Sequence, residues 1–418
     1  MFGMLFANEN GEMQDYPVFS AIGRTGKMFA EPLEEEMIPL PEGASLTLIP
    51  HSVPIGINRK GNFAPLRVNP YSNKKERAYP VGALLPQGFT RLLLPGALES
   101  GEDLPLLGYT AVGVKNGRIY AAAIQTDEHR RWHPKHFNTP DLEEGVAAVT
   151  KRYPNNRIIG QLGRCALQYG CFTAQNIFYG RWEGGIPVSP ACNAQCLGCI
   201  SLQESECCPS PQQRIDFIPT DKEIVELALF HFSHPKAEII SFGQGCEGEP
   251  SLQADLIVDS IKQIRSNTSR GTININTNAG YFAGIKKLCD NGLDAARVSL
   301  ISATPEHYHA YYRPKTYSLA DVKQSLRYAA DKGVYTSLNY LVFPGFSDTE
   351  QEINNLIKLV KSTGISMIQL RNLNIRPELF FDAVPFDSEP LGMLRMINSL
   401  KDELPGVALG NYSRAVKI

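Results

Sequence analysis

Cysteine placement is the first chemical signal in this 418-residue sequence. Of its nine cysteines, eight fall between positions 165 and 246, and three form the segment ACNAQCLGCI as Cys192, Cys196 and Cys199. A scatter of small core residues would not cluster in this way, so metal binding is the better interpretation. Three thiolates leave one iron of a cubane cluster without a protein ligand, whereas a structural zinc ion requires four ligands. The motif therefore predicts a [4Fe-4S] cluster with one open iron.

The remaining cysteines of this region leave two alternatives open. Cys171, Cys207 or Cys246 could supply a fourth ligand and turn the motif into a zinc site. Cys165, Cys171, Cys207 and Cys208 could instead bind an auxiliary cluster. Their spacing, Cys-x5-Cys followed by an adjacent pair, matches no ferredoxin pattern well, so free or packed thiols are favoured.

Composition excludes some classes of function. The formal net charge is -2 and 20% of residues are charged, which gives no global attraction to nucleic acid or anionic membrane. No stretch approaches 18 uninterrupted apolar residues, and MFGMLFANENGEMQD lacks the basic start and long apolar run of a signal peptide. We therefore expect a cytoplasmic protein without a membrane span. The basic and aromatic segment HRRWHPKHF, residues 129–137, is expected to be an interdomain loop.

The elements that position the cysteines follow a regular order. Residues 1–150 are rich in Pro and Gly and predict a mainly β domain, with a hairpin at Asn116-Gly117. From residue 186 six β/α units follow in succession, the first helix beginning at a capping box of Thr220 and Glu223. We expect four segments: a β domain at 1–150, a cysteine-containing connector at 151–185, a partial barrel at 186–380 and a C-terminal helix and tail at 381–418.

Repeated β/α alternation requires parallel strands with right-handed crossovers, in a doubly wound sheet or a complete or partial barrel. Functional loops then gather at the C-terminal ends of the strands. The cysteine segment follows the first expected strand, at 186–190, and the glycine-rich segment FGQGCEGEP, residues 242–250, follows the second. Both segments are therefore expected at the same end of the sheet.

Cysteine spacing, the six-fold β/α array and the Gly248-Glu249-Pro250 segment together resemble the radical S-adenosylmethionine (radical SAM) superfamily. The resemblance covers about residues 186–380 and implies a partial (βα)6 barrel. It also implies that the open iron chelates the amino and carboxylate groups of S-adenosylmethionine. One electron, from a reductant such as flavodoxin or ferredoxin, then breaks the sulfonium bond. The 5′-deoxyadenosyl radical produced would abstract hydrogen from an unidentified substrate.

The resemblance also implies roles for individual residues. Glu249 would hold the methionine ammonium, with Gly248 contributing backbone, and Thr277 and Asn278 of the TNAG segment would help to bind the cofactor. Ser299 matches a polar position that commonly touches the ribose or the methionine carboxylate. Cys246, in the loop expected to face the cofactor, could act as hydrogen donor or covalent acceptor, or be a small residue tolerated in a turn.

Two departures and one alternative accompany this interpretation. Glu247 replaces the first glycine of the family's Gly-Gly-Glu-Pro element, and Gly198 replaces the aromatic residue that usually packs on adenine. The tyrosine-rich segment HYHAYYRP, residues 307–314, could contact substrate or form a lid. The alternative function is a non-catalytic protein whose cysteines hold zinc or a redox-sensing cluster.

Overall fold

Apolar residues in the N-terminal part of the chain form antiparallel strands. The computed structural model describes residues 1–99, 107–127, 131–202 and 210–416. The N-terminal strands are β1 (Gly3–Ala7), β2 (Met13–Ser20), β3 (Gly23–Thr25), β4 (Met28–Ala30), β5 (Met37–Pro39), β6 (Ser45–Leu48), β7 (Ser52–Ile57), β8 (Phe63–Pro65), β9 (Tyr79–Leu84), β10 (Phe89–Arg91), β11 (Leu94–Pro95), β12 (Ala97–Glu99), β13 (Thr110–Lys115) and β14 (Arg118–Gln125). Most join one sheet with the path β10-β14-β13-β9-β1-β2-β7-β12, while β11, β3 and β4 form a smaller one.

The hairpin expected at Asn116-Gly117 is present. Lys115 of β13 pairs with Arg118 of β14, so the two loop residues alone make the connection. Both have positive φ, 52° for Asn116 and 71° for Gly117, which is the conformation of a type I′ turn. This turn suits the right-handed twist of the flanking strands, and the Asn-Gly pair therefore determines the local register.

The chain divides into two compact units by its contacts. The first contains Met1–His129, Val342–Asn354 and Leu370–Glu403, and the second contains Arg130–Leu341, Asn355–Gln369 and Leu404–Ile418. The antiparallel sheet belongs to the first unit, and the candidate site residues all belong to the second. In the described part of the chain no helix is both long enough and apolar enough to cross a bilayer.

An α/β array with a parallel sheet follows. Its strands are β15 (Arg181–Gly185), β16 (Lys236–Phe242), β17 (Thr272–Thr277), β18 (Ala295–Leu300), β19 (Tyr335–Val342), β20 (Met367–Asn372) and β21 (Ala408–Gly410). Helices α1 (Leu142–Arg152), α2 (Arg157–Leu167) and α3 (Phe172–Tyr179) precede the array. Its own helices are α4 (Asp221–Phe232), α5 (Ala254–Asn267), α6 (Phe282–Asp290), α7 (Pro305–Tyr312), α8 (Leu319–Asp331), α9 (Glu350–Thr363), α10 (Pro377–Ala383) and α11 (Met393–Glu403).

Strand order in this sheet is sequential from β15 to β21. A doubly wound sheet reverses its order at a switch point, whereas a sheet wound in one direction is of the barrel type. The sheet is therefore of the half-barrel type. The predicted capping box is present at the start of α4, where Thr220 Oγ1 accepts from Glu223 N at 3.3 Å.

The first strand was expected at 186–190, but the structure begins it earlier, at Arg181–Gly185. Pro187 and Pro190 have no N–H groups, so neither can donate to a ladder from a strand at this position. The N–H groups of Val188 and Ser189 bond instead to the carboxylate of Glu247, at 2.7 and 2.9 Å. The cysteine segment is consequently joined to β15 by an extended stretch whose hydrogen bonds go to a neighbouring loop.

Candidate active site

The cysteine segment begins where this extended stretch ends, and it is anchored on α7. Gln195 N donates to Tyr312 O at 3.1 Å, and Leu197 N donates to Tyr311 O at 3.0 Å. Since these carbonyls belong to the last turn of α7, they have no partner within the helix and are available to the loop. The C-terminus of α7 thus fixes the backbone on both sides of Cys196.

Cys192, Cys196 and Cys199 are half-buried free thiols. Burial raises the pKa of Cys192, and burial together with the charges of Cys192 and Cys199 raises the pKa of Cys196. Cys192 and Cys199 are therefore close enough to Cys196 to oppose its ionisation. A cation bound among them would reverse this effect, because thiolates ionise readily beside a metal.

The donor set has the soft thiolate chemistry that an iron–sulfur cluster requires. Across the described ranges, no three His, Cys, Asp or Glu side chains are arranged so that they could hold one metal ion. A cubane cluster takes one thiolate per iron, so its ligands need not converge on one point. The fit of the three cysteines to a cluster therefore rests on their shared loop, their mutual electrostatic effect and the soft character of thiolate ligands.

A polar group lies against Cys199. Arg214 Nη2 is 3.6 Å from Cys199 Sγ and 3.0 Å from Ser201 Oγ, and Arg214 Nε is 3.1 Å from the same hydroxyl. Ser201 in turn donates to the carbonyl of Glu247 at 3.1 Å. A cation and a hydroxyl therefore flank one thiol of the motif and tie it to the loop that follows β16.

Glu249 lies in that loop and is only 3% exposed. Its carboxylate accepts from the Thr277 hydroxyl, from Asn278 N at 2.8 Å and from Ser251 N at 3.0 Å. Burial raises the pKa of Glu249, and these donors oppose the shift by favouring the charged form. An ammonium group beside the carboxylate would favour that form further.

Glu249 is also electrostatically linked to the cysteines. Its charge is among the causes that raise the pKa of Cys192 and Cys196, after burial. Its backbone N–H donates to Ala191 O at 2.8 Å, immediately before the first cysteine. The structure therefore brings the buried carboxylate and the three thiols into one site.

Gly248 is required by this close approach of two backbones. Its N–H donates to Ser189 O at 2.7 Å, and an added Cβ would lie 2.0 Å from Ala191 O. No real side chain tolerates such a contact with backbone, so Gly248 is the residue that allows the loop after β16 to pack on the cysteine segment.

The side chain of Glu247 also connects the cysteine segment to the loop after β16. It is 4% exposed, and each of its oxygens accepts from two backbone N–H groups. One oxygen binds Val188 and Ser189 and the other binds Gly243 and Gln244. The residue that departs from the family's glycine is therefore a structural clamp between the two loops.

Family comparison agrees with this geometry. Residues 186–360 match the model of the radical SAM superfamily. This chain carries a radical SAM domain. The match contains the cysteine segment, Glu249 and the strands β16 to β19.

Individual relatives of the radical SAM domain are distant. The chain is 31% identical over 124 residues to a protein of Pyrobaculum aerophilum described as a probable GTP 3′,8-cyclase, and this match covers 29% of the chain and 38% of that protein. A radical SAM methyltransferase from Sphaerobacter thermophilus superposes with a TM-score of 0.40 at 16% identity, covering 55% of this chain and 65% of the other. SuiB of Streptococcus suis, bound to S-adenosylmethionine, gives a TM-score of 0.39 at 14% identity, covering 75% and 72%.

The remaining predicted positions lie around the same radical SAM loops. Asn278 Nδ2 donates to Asn193 Oδ1 at 2.7 Å, which links the end of β17 to the cysteine segment. Ser299 is half-buried in β18, next to Val298, which pairs with Thr277. The binding roles of Thr277, Asn278 and Ser299 stay predictions.

Cys246 is buried in a second group of thiols. A hydrogen bond from the Cys246 thiol lowers the pKa of Cys165, and burial raises the pKa of Cys171 beside them. Its role as hydrogen donor stays a prediction. An auxiliary cluster also stays a prediction, since Cys207 and Cys208 lie outside the described residues.

The sequence did not indicate how completely the aromatic residues around the cysteines are buried. Tyr308, Tyr311 and Tyr312 of α7 are at most 3% exposed, and Tyr308 OH is 3.4 Å from Tyr317 OH. Burial raises the pKa of Tyr311, as do the charges of Cys196 and Cys199. These three tyrosines of the segment that could contact substrate or form a lid thus line the cysteines as a buried wall. The hydrogen bonds between this helix and the backbone of residues 195 and 197 could not be predicted from composition.

Proposed function

We propose that this protein is a radical SAM enzyme that cleaves S-adenosylmethionine reductively at a [4Fe-4S] cluster held by Cys192, Cys196 and Cys199. The observation that carries the proposal is the placement of Glu249, a buried carboxylate within electrostatic reach of Cys192 and Cys196. Neither a structural zinc site nor a cluster that only senses redox state requires a buried carboxylate beside the metal. The superfamily match over residues 186–360 supports the same conclusion.

Each residue has a distinct task in this proposal. The three thiolates would hold three irons and leave the fourth free for the amino and carboxylate groups of S-adenosylmethionine. Glu249 would accept hydrogen bonds from the ammonium, and the donors from Thr277 and Asn278 orient its carboxylate and favour its charged form. Gly248 lets the loop that carries Glu249 pack directly on the cysteine segment.

A cluster held by Cys192, Cys196 and Cys199 would supply the single electron needed to cleave S-adenosylmethionine into methionine and a 5′-deoxyadenosyl radical. The chain's own contribution is to bind, to orient and to exclude water. Tyr308, Tyr311 and Tyr312 form an apolar wall beside Cys196 that keeps solvent away from the thiols. The electron would come from a small reductant such as flavodoxin or ferredoxin, and the substrate is unidentified.

Anaerobic reconstitution tests the proposal. Wild-type protein with iron and sulfide should gain a brown chromophore and, with dithionite and S-adenosylmethionine, release 5′-deoxyadenosine. Absence of both would refute the proposal. GTP belongs among the first candidate substrates, since the Pyrobaculum aerophilum relative is described as acting on it.

Two variants separate the roles of the motifs. Cys196→Ala should abolish iron binding, whereas Glu249→Gln should retain full iron content and weaken S-adenosylmethionine binding at least tenfold, the loss of about one charge-assisted hydrogen bond. Glu226→Gln is the matched control because Glu226 is on the outer side of α4 and its carboxylate accepts from Asn156 Nδ2 at 3.2 Å. A Cys196→Ala protein with full activity would overturn the ligand assignment.

A further inference from the structure

Arg214 is a charged residue that the cysteine motif does not include, yet it contacts one of the thiols. Its Nη2 atom lies 3.6 Å from Cys199 Sγ, and its guanidinium also donates twice to Ser201 Oγ, at 3.0 and 3.1 Å. A contact of 3.6 Å is a normal distance for a hydrogen bond to sulfur, which is larger than oxygen. Arg214 is therefore positioned as a donor to a predicted cluster ligand.

Of the polar groups that the structure describes around Cys199 Sγ, only one can still donate a hydrogen bond to the sulfur once it binds a metal. The single proton of the Ser201 hydroxyl goes to the carbonyl of Glu247, 3.1 Å away. The Cys199 thiol proton can go to Ser201 Oγ at 3.6 Å, but it is lost when the sulfur binds iron as a thiolate. Arg214 then supplies the hydrogen bond to this sulfur from a cationic guanidinium group.

We propose that Arg214 raises the reduction potential of the cluster through Cys199, with Ser201 as the residue that orients its guanidinium. Reduction adds one electron to the cluster, taken from a one-electron donor of the flavodoxin or ferredoxin class that is itself oxidised by one electron, and no proton moves. A cation beside a ligand sulfur stabilises the more negative, reduced state more than the oxidised one. This inference rests on the proposed function, since it requires a cluster on Cys199.

Substitutions at Arg214 separate the effect of its charge from the effect of its hydrogen bond. Arg214→Lys keeps a charge, Arg214→Gln keeps a neutral donor and Arg214→Met removes both. The readout is the midpoint potential of the reconstituted cluster, followed by low-temperature electron paramagnetic resonance during a redox titration, at equal iron and sulfide content. We expect the potential to become more negative in the order wild type, Lys, Gln, Met. Ser201→Ala should shift it in the same direction by a smaller amount.

Arg327→Met is the matched control, because Arg327 lies on α8 and its Nε donates to Ser362 O at 3.3 Å. Its potential should equal that of the wild type. Equal potentials in all Arg214 variants at full cluster content would overturn the inference and leave the proposed function standing. Wild-type protein that takes up no cluster would overturn the proposed function itself. If Arg214→Met does not assemble a cluster, the comparison of Lys with Gln decides the matter.

Discussion

Replacing Glu247 with glutamine tests the clamp between the two loops of the site. The carboxylate accepts four backbone N–H bonds of 2.6 to 2.9 Å, two from each loop. Glutamine keeps one oxygen, so two of these N–H groups would face an amide NH2 and lose their acceptor. One of the two loops must therefore detach from the side chain.

The magnitude follows from the buried donors that lose their partner. Each costs about 1–3 kcal/mol, which gives about 2–6 kcal/mol for the pair. Burial raises the pKa of Glu247 to about 7, so the neutral amide also removes part of a poorly solvated charge. Because this effect partly offsets the lost hydrogen bonds, we expect the lower end of the range, about 2 kcal/mol less free energy for local opening. This loss corresponds to about a 30-fold increase in the equilibrium constant for opening.

Hydrogen exchange measured by mass spectrometry reports this opening directly. In the Glu247→Gln apoprotein at pH 7, amides in the peptide over 186–191 or in the peptide over 242–250, whichever loop loses its acceptor, should exchange about 30-fold faster, by the same conversion. Peptides over α8 should be unchanged, and Glu226→Gln should match the wild type throughout. Unaltered exchange in both loop peptides would show that Glu247 does not connect them.

Three further variants test other parts of the structure. Gly248→Ala places a Cβ 2.0 Å from Ala191 O, so we expect about 1–3 kcal/mol of destabilisation in urea unfolding and loss of iron uptake; a normal iron content would contradict the close approach. Burial lowers the pKa of His231 to about 4 from its ordinary 6.5, so stability is full above pH 6.5 and falls as the pH drops towards 4. His231→Gln should therefore reduce the stability lost between pH 7 and pH 5 by about 2 kcal/mol, measured by urea titrations at both values; an unchanged loss would exclude His231 as the cause. Cys246→Ala should still cleave S-adenosylmethionine, and if Cys246 is the hydrogen donor it should form no product from substrate.

Local sequence signals predicted local structure well. The Asn116-Gly117 hairpin and the capping box at Thr220 were correct because a few neighbouring residues determine each of them. The parallel array was predictable from its alternating apolar segments. Short strands of the N-terminal sheet pair across long stretches of chain, as β1 does with β13, so their order could not be deduced.

Parts of the site depended on contacts between distant residues. The strand expected at 186–190 was wrong because its N–H groups bond to Glu247, some 60 positions later, and no local pattern indicates that partner. The roles of Asn193 and Arg214 were missed for the same reason, since each acts through a loop that is brought close only by folding. The strand β21 was missed because it has only three residues, Ala408–Gly410.

The clamp at Glu247 also has a consequence for building chimeric proteins. The segment that carries the cysteines and the segment that carries Glu249 share one carboxylate and two backbone hydrogen bonds, so neither has an independent conformation. A homologous donor with glycine at the position of Glu247 would supply a loop that lacks its anchor. Residues 186–200 and 242–250 should therefore be exchanged between relatives only as a matched pair, and substitutions acquired by one are expected to constrain those tolerated by the other.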